Sequence, residues 1–134
     1  MGENWVVPLP ANGKEMFGSA NTRREPPGFA AGCSATVARD GGLLKVRFPA
    51  ATQGGRVYDY EVSAVVQADD YSAVVRTKRI LAPDYHLPPA KAGRPGEVWF
   101  SPDELPQKTP LRFEIRPVDC FGVRGRAIAV GFEA

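Results

Sequence analysis

The alternation around Phe113 limits this chain's fold more than any other feature. Leu111, Phe113 and Ile115 are apolar, while Arg112, Glu114 and Arg116 are charged. In an extended strand successive side chains point to opposite faces, so this spacing gives one face for a core and one for water. The same period of two recurs upstream. Leu44, Val46 and Phe48 alternate with Lys45 and Arg47, and Tyr58, Tyr60, Val62, Ala64 and Val66 share one side against Asp59, Glu61, Ser63 and Gln67. No window carries the apolar period of 3.6 that an amphipathic helix requires. The expected class is therefore all-β and antiparallel, because parallel strands need crossover helices.

Fourteen glycines and thirteen prolines punctuate the 134 residues rather than clustering in one tract. Asp40-Gly41-Gly42 reads as a hairpin turn, and Ala68-Asp69-Asp70 as another. Tyr71–Ile80 has no clear buried side and carries Arg76, Lys78 and Arg79, the signature of an edge strand guarded by basic residues. The proline-rich stretch 81–96 reads as a long connection, and Ser101 with Pro102 as the start of a single helical turn. Residues 1–32 show no sustained period and read as an extended lead-in. Residues 33–134 form the expected domain, a seven-stranded antiparallel sandwich with a small barrel as the alternative.

The balance of 17 basic and 15 acidic side chains, net +2, leaves no clustered basic footprint for nucleic acid. No apolar run approaches the roughly 20 residues of a membrane span. The start, Met1–Val6, lacks the basic and apolar regions of a secretory signal. His86 is the single histidine, so neither a multi-histidine metal centre nor a confident Ser-His-Asp set can be assembled, and no cofactor is implied. Asp69 and Asp70 supply too few oxygens for calcium and read as a solvated hairpin tip. Cys33 and Cys120 show no CxxC spacing; two free thiols are expected, with one disulfide as the alternative.

The segment 105–125 resembles the end of a fibronectin type III domain. Leu105, Pro106 and Thr109 match that family's turn before its penultimate strand; Leu111, Phe113 and Ile115 match the strand's inward side; Val118, Asp119 and Gly122 match its exit. Leu111 departs from the pattern, standing where the family places a corner tyrosine, so this corner is expected to be held by packing alone. Phe48 stands near the place of the family's core tryptophan. The succession 7–10, 23–29, 48–62, 82–88 and 113–125 further resembles the sandwich domain that follows the catalytic domain in some secreted bacterial calcineurin-like metallophosphoesterases. That resemblance implies a periplasmic, cell-surface or secreted location and a neighbouring domain of the same parent chain as partner.

Two function classes follow. One is a non-catalytic accessory domain packed on its neighbour; the other is a free-standing recognition module for carbohydrate or protein. The expected core is Phe113 with Leu111, Ile115, Val46 and Val62 around it, together with Tyr58 and Tyr60. The candidate interface residues are Arg23, Arg24, Tyr85, His86, Arg94 and Trp99. Tyr85 and Arg94 sit in the proline-rich connection, and Trp99 points away from the side taken by Val98 and Phe100. Arg23, Arg24, Arg76, Lys78 and Arg79 are expected to form a solvated basic rim, with docking to a neighbouring domain as the alternative.

Overall fold

The computed structural model describes residues 25–85 and 93–133. Arg23, Arg24 and His86 lie outside them. Among the described residues regular structure is β throughout, apart from one 3-10 turn at Pro102–Glu104. The strands are β1 (Pro27–Gly28), β2 (Thr36–Asp40), β3 (Leu43–Phe48), β4 (Gln53–Gly54), β5 (Asp59–Gln67), β6 (Ser72–Leu81), β7 (Gly96–Phe100), β8 (Pro110–Val118) and β9 (Ile128–Glu133). They form a three-stranded sheet ordered β2-β3-β7, a four-stranded sheet ordered β6-β5-β8-β9, and a two-stranded ribbon of β1 and β4. Every pairing is antiparallel.

The inward faces of the two main sheets make one core. Phe113, Ile115, Val62 and Val46 are fully buried and Leu111 nearly so, as the alternation required. Phe113 pairs across the sheet with Ala64 and meets Phe100 of the opposite sheet at 5.3 Å between ring centroids. Phe48 packs edge-on against Tyr60 at 4.8 Å, and the Tyr60 hydroxyl accepts a buried hydrogen bond of 2.9 Å from the Ala51 amide. A buried phenol needs such a partner. Burial pushes the Tyr60 hydroxyl above its usual pKa.

Under the turn that precedes β8, Leu111 lines a cleft of about 20 Å³ with Leu44, Leu105 and Pro106. That is room for about one water. The turn itself is tied by side-chain hydrogen bonds, the Gln107 amide donating to the Pro102 carbonyl and the Thr109 hydroxyl to the Gln107 carbonyl, each at 3.0 Å, so the corner is not held by packing alone.

Registers fix which ends lie together. Phe48 pairs with Gly96, and Asp59 pairs with both Leu81 and Val118. The ends of β3, β6 and β8 and the starts of β5 and β7 therefore share one pole. β1 joins them there, pairing Pro27 with Gly54. The described chain enters at this amino pole and leaves at the opposite, carboxy pole, where β9 ends. The last part of the lead-in is woven into the fold: Pro27 is fully buried, and the Phe29 ring stacks on Tyr60 at 6.1 Å.

Candidate docking surface at the amino pole

Three connections converge on the amino pole, and each presents an apolar side chain. Tyr58 comes from the β4–β5 connection, Tyr85 from the segment after β6, and Phe121 from the β8–β9 turn; Leu81 closes β6 beside them. Their exposures are 41%, 44%, 53% and 53%, high for such side chains. Tyr58 and Tyr85 meet edge to face at 5.7 Å. The sequence pattern placed Tyr58 in the core with Tyr60, and the structure corrects this. Tyr58 precedes β5, where its amide donates to the Val118 carbonyl and its carbonyl accepts from Ala82. Those two bonds tie it to the pole before the strand's alternation begins, so its ring lies at the surface.

Asp119 shapes the turn that carries Phe121. One of its carboxylate oxygens accepts from the amides of Phe121 and Val123, each at 2.9 Å, while its own amide donates to the Val123 carbonyl. Asp119 is buried, and Gly122 takes the left-handed backbone conformation that closes the turn. Phe121 was not singled out from the sequence. Its signal was available, since a large apolar ring between Cys120 and Gly122 in a tight turn has no route to the core.

Beside the aromatic cluster, the outer face of the four-stranded sheet carries a charge network. Arg79 donates to Glu61 at 2.7 Å and lies 3.8 Å from Asp59, and Arg124 donates to Glu61 at 3.0 Å. Burial pushes Glu61 upward, but the hydrogen bonds and charges of Arg79 and Arg124 outweigh it and hold the carboxyl below its usual range. Asp59 goes the other way. Burial raises its pKa against the pull of the two arginines, and one of its oxygens is buried without a hydrogen bond.

The remaining candidates are dispersed. Arg94 is largely exposed, and Asp84 accepts hydrogen bonds from the Gly93 and Arg94 amides. Trp99 faces outward from β7, as the alternation indicates, but it is half-buried with the Lys45 ammonium 5.3 Å above its ring. It belongs to the other sheet, away from the Tyr58–Tyr85 pair. Of the expected solvated rim, Arg76 and Arg79 are exposed, and Lys78 is the exception. Lys78 is half-buried, donating to the Trp99 carbonyl at 2.7 Å and to Glu104 at 3.0 Å, and Arg76 pairs with Glu104 at 3.0 Å. These cations knit the edge strand to the fold.

Cys33 and Cys120 are free thiols. Among the described residues no group of three or more His, Cys, Asp or Glu side chains is placed to hold a metal ion. No helix among them is long and apolar enough to cross a membrane.

The fold and its surface define an all-β protein of antiparallel, sandwich-like architecture. No protein-family model and no curated protein matches the sequence. Solved structures do show similarity. The chain superposes on the Clostridium perfringens spore cortex lytic enzyme SleM with a TM-score of 0.50 and 17% identity, covering 81% of this chain and 29% of that one. A structure described as a myokine gives a TM-score of 0.47 and 15% identity, covering 81% of this chain and 97% of that one. The chain thus spans less than a third of the length of the lytic enzyme.

Proposed function

We propose that this chain is a non-catalytic accessory module of a larger protein, a fibronectin type III-like sandwich whose amino pole packs on a neighbouring domain of the same polypeptide. The observation that carries this reading is the edge-to-face pair of exposed Tyr58 and Tyr85 at the amino pole, where the strand end and turn that carry Leu81 and Phe121 also leave those side chains exposed. Clustered exposed apolar side chains rimmed by charge mark interaction surfaces. Aromatic residues supply much of the energy of such contacts. The likeness to SleM agrees in architecture, since a fold of this kind there accounts for a minor share of a longer enzyme. The parent we propose is a secreted bacterial calcineurin-like metallophosphoesterase, working in the periplasm, at the cell surface or outside the cell. Its two-metal chemistry would reside in the neighbouring domain, because such a centre needs a set of Asp, His and Asn ligands.

The test compares amide hydrogen exchange in the product of the full reading frame with exchange in this chain. Residues 81–85 and 119–123 are expected to exchange more slowly in the longer protein. Equal rates at both segments would remove the docking reading. An aryl phosphate and a phosphodiester, supplied with manganese, should not be turned over by this chain; metal-dependent turnover would make it an enzyme in its own right. The Tyr58–Tyr85 pair favours one second reading, a free-standing recognition module for carbohydrate or protein. Saturable quenching of tyrosine fluorescence by an oligosaccharide, abolished by Tyr58→Ser, would support that reading instead.

A further inference from the structure

Protection of the β6 edge is uneven along its length. Among the described residues no strand pairs with its far side, so a row of backbone donors and acceptors is left open. A bulge divides the strand: Ala64 pairs with Arg76 and Val65 with Val74, leaving Val75 as the extra residue. Beyond the bulge, towards β7, the edge is guarded by Arg76, Lys78 and Arg79, which also tie it to Glu104 and Glu61. Before the bulge there is no such guard. Tyr71, Ser72, Ala73, Val74 and Val75 are uncharged and exposed, and Tyr71 and Val74 are 60% and 61% open to solvent. Aromatic and β-branched residues in an open, uncharged edge favour pairing with another strand.

The charges that flank this stretch specify the partner. Asp69 and Asp70 precede it, and Arg76 follows it, its side chain half exposed even while paired with Glu104. We propose that two copies of this chain join edge to edge through Tyr71–Val75, antiparallel about a two-fold axis at Ala73. In that register Ser72 faces the partner's Val74 and Tyr71 faces the partner's Val75. Asp70 comes opposite the partner's Arg76, and two-fold symmetry makes each of these contacts twice. Aromatic with β-branched and acidic with basic are the cross-strand combinations that stabilise a sheet. Other registers lose this match. An axis at Val75 sets Lys78 and Arg79 against the partner's Ser72 and Tyr71, and an axis at Thr77 sets Arg76 against the partner's Lys78. The two four-stranded sheets become one continuous sheet of eight, and the amino pole stays clear of the seam. This pairing does not depend on the accessory-module reading.

So short a seam falls below the roughly 1,200 Å² of a standard interface, so the dimer is weak and reversible. Sedimentation equilibrium across low micromolar to millimolar concentrations should show the average mass rising from 14.5 kDa towards twice that value. Asp70→Arg sets like charges against each other at both ends of the seam. It should weaken association about tenfold or more, with the far-UV spectrum and thermal midpoint unchanged because Asp70 is an exposed turn residue. Adding Arg76→Asp restores the opposite-charge pairing and should recover association. Val75→Lys, which places a charge inside the seam, provides a second disruption independent of Arg76 and Glu104. A chain that stays monomeric at every concentration overturns the proposal. So does a dimer whose strength neither Asp70→Arg nor Val75→Lys alters, since it would be held by another surface.

Discussion

Gly96 owes its identity to the ring of Phe48. A β-carbon there would run into the edge of that ring, which is itself fully buried against Tyr60. Gly96→Ala is therefore an overpacking change and should lower stability by about 1–3 kcal/mol. Phe48→Leu, costly alone, should become less so in the double variant; additive losses in denaturant unfolding would mean that the two sites do not touch. Phe113→Ala empties the centre of the same core and should cost about 3–5 kcal/mol. Two neighbouring carboxylates on the outer face should respond in opposite directions. Glu61 is hydrogen-bonded by two arginines, so Glu61→Gln should lower the thermal midpoint at neutral pH. Asp59 has a raised pKa and an oxygen buried without a hydrogen bond. Its charge opposes folding once pH exceeds the unfolded value, so Asp59→Asn should leave the midpoint unchanged or raise it. A fall for Asp59→Asn as large as that for Glu61→Gln would show that both carboxylates are stabilised by their arginines. At this scale the core was legible from alternation alone, because Phe113, Ile115 and Val62 follow strict period two inside strands. Tyr58 was not, because it matches the same parity yet sits one residue before β5, where backbone bonds to Val118 and Ala82 set its direction. Gly96 gave no warning either, since its reason is a ring nearly fifty residues away in sequence.

Among the elements, β6 shows how an edge strand becomes attached to a sandwich. Glu104 sits in the 3-10 turn between β7 and β8, where it accepts the Ser101 amide at 2.7 Å and completes a capping box. The same carboxylate pairs with Lys78 and Arg76, so the turn clamps β6. The Ser101 hydrogen bond first, then that from Lys78, holds the Glu104 pKa below its usual value. A carboxyl depressed in the folded state contributes stability above its unfolded pKa and loses it as pH falls through the folded one. Glu104→Gln should therefore lower the midpoint at neutral pH and shrink the difference from the parent chain at acid pH. A constant difference across the titration would show that the clamp acts by shape and not by charge. The sequence announced the parts of this device separately: the Ser-Pro start of the turn, and three cations in a strand without a buried side. Their meeting was hidden because Glu104 lies 26 residues from Lys78 and no pattern in one sequence links them. Cations that alternation assigned to solvent are held by a partner it does not reveal.

On the scale of the whole molecule, the described residues begin at one pole and end at the other. The Tyr58–Tyr85 pair lies at the first pole and the open half of β6 towards the far one, so the proposed docking and the proposed self-pairing use separate surfaces. Where the folded unit begins is the remaining question at this scale. The loss of any period before Ser34 places the boundary near residue 33 in a reading by pattern, because a two-residue strand is too short to show one. Packing argues for an earlier start. Pro27 is fully buried, its carbonyl lies where a β-carbon on Gly125 would fall, and Phe29 stacks on Tyr60. A chain beginning at Ser34 would uncover Tyr60 and leave Gln53 and Gly54 unpaired. It should lose about 3–5 kcal/mol, the range for removing one large aromatic side chain from a core, relative to a chain beginning at Glu25. Denaturant unfolding of the two chains measures the difference. Coincident midpoints with equal slopes would show that residues 25–33 are a detachable strap and that the domain closes without them.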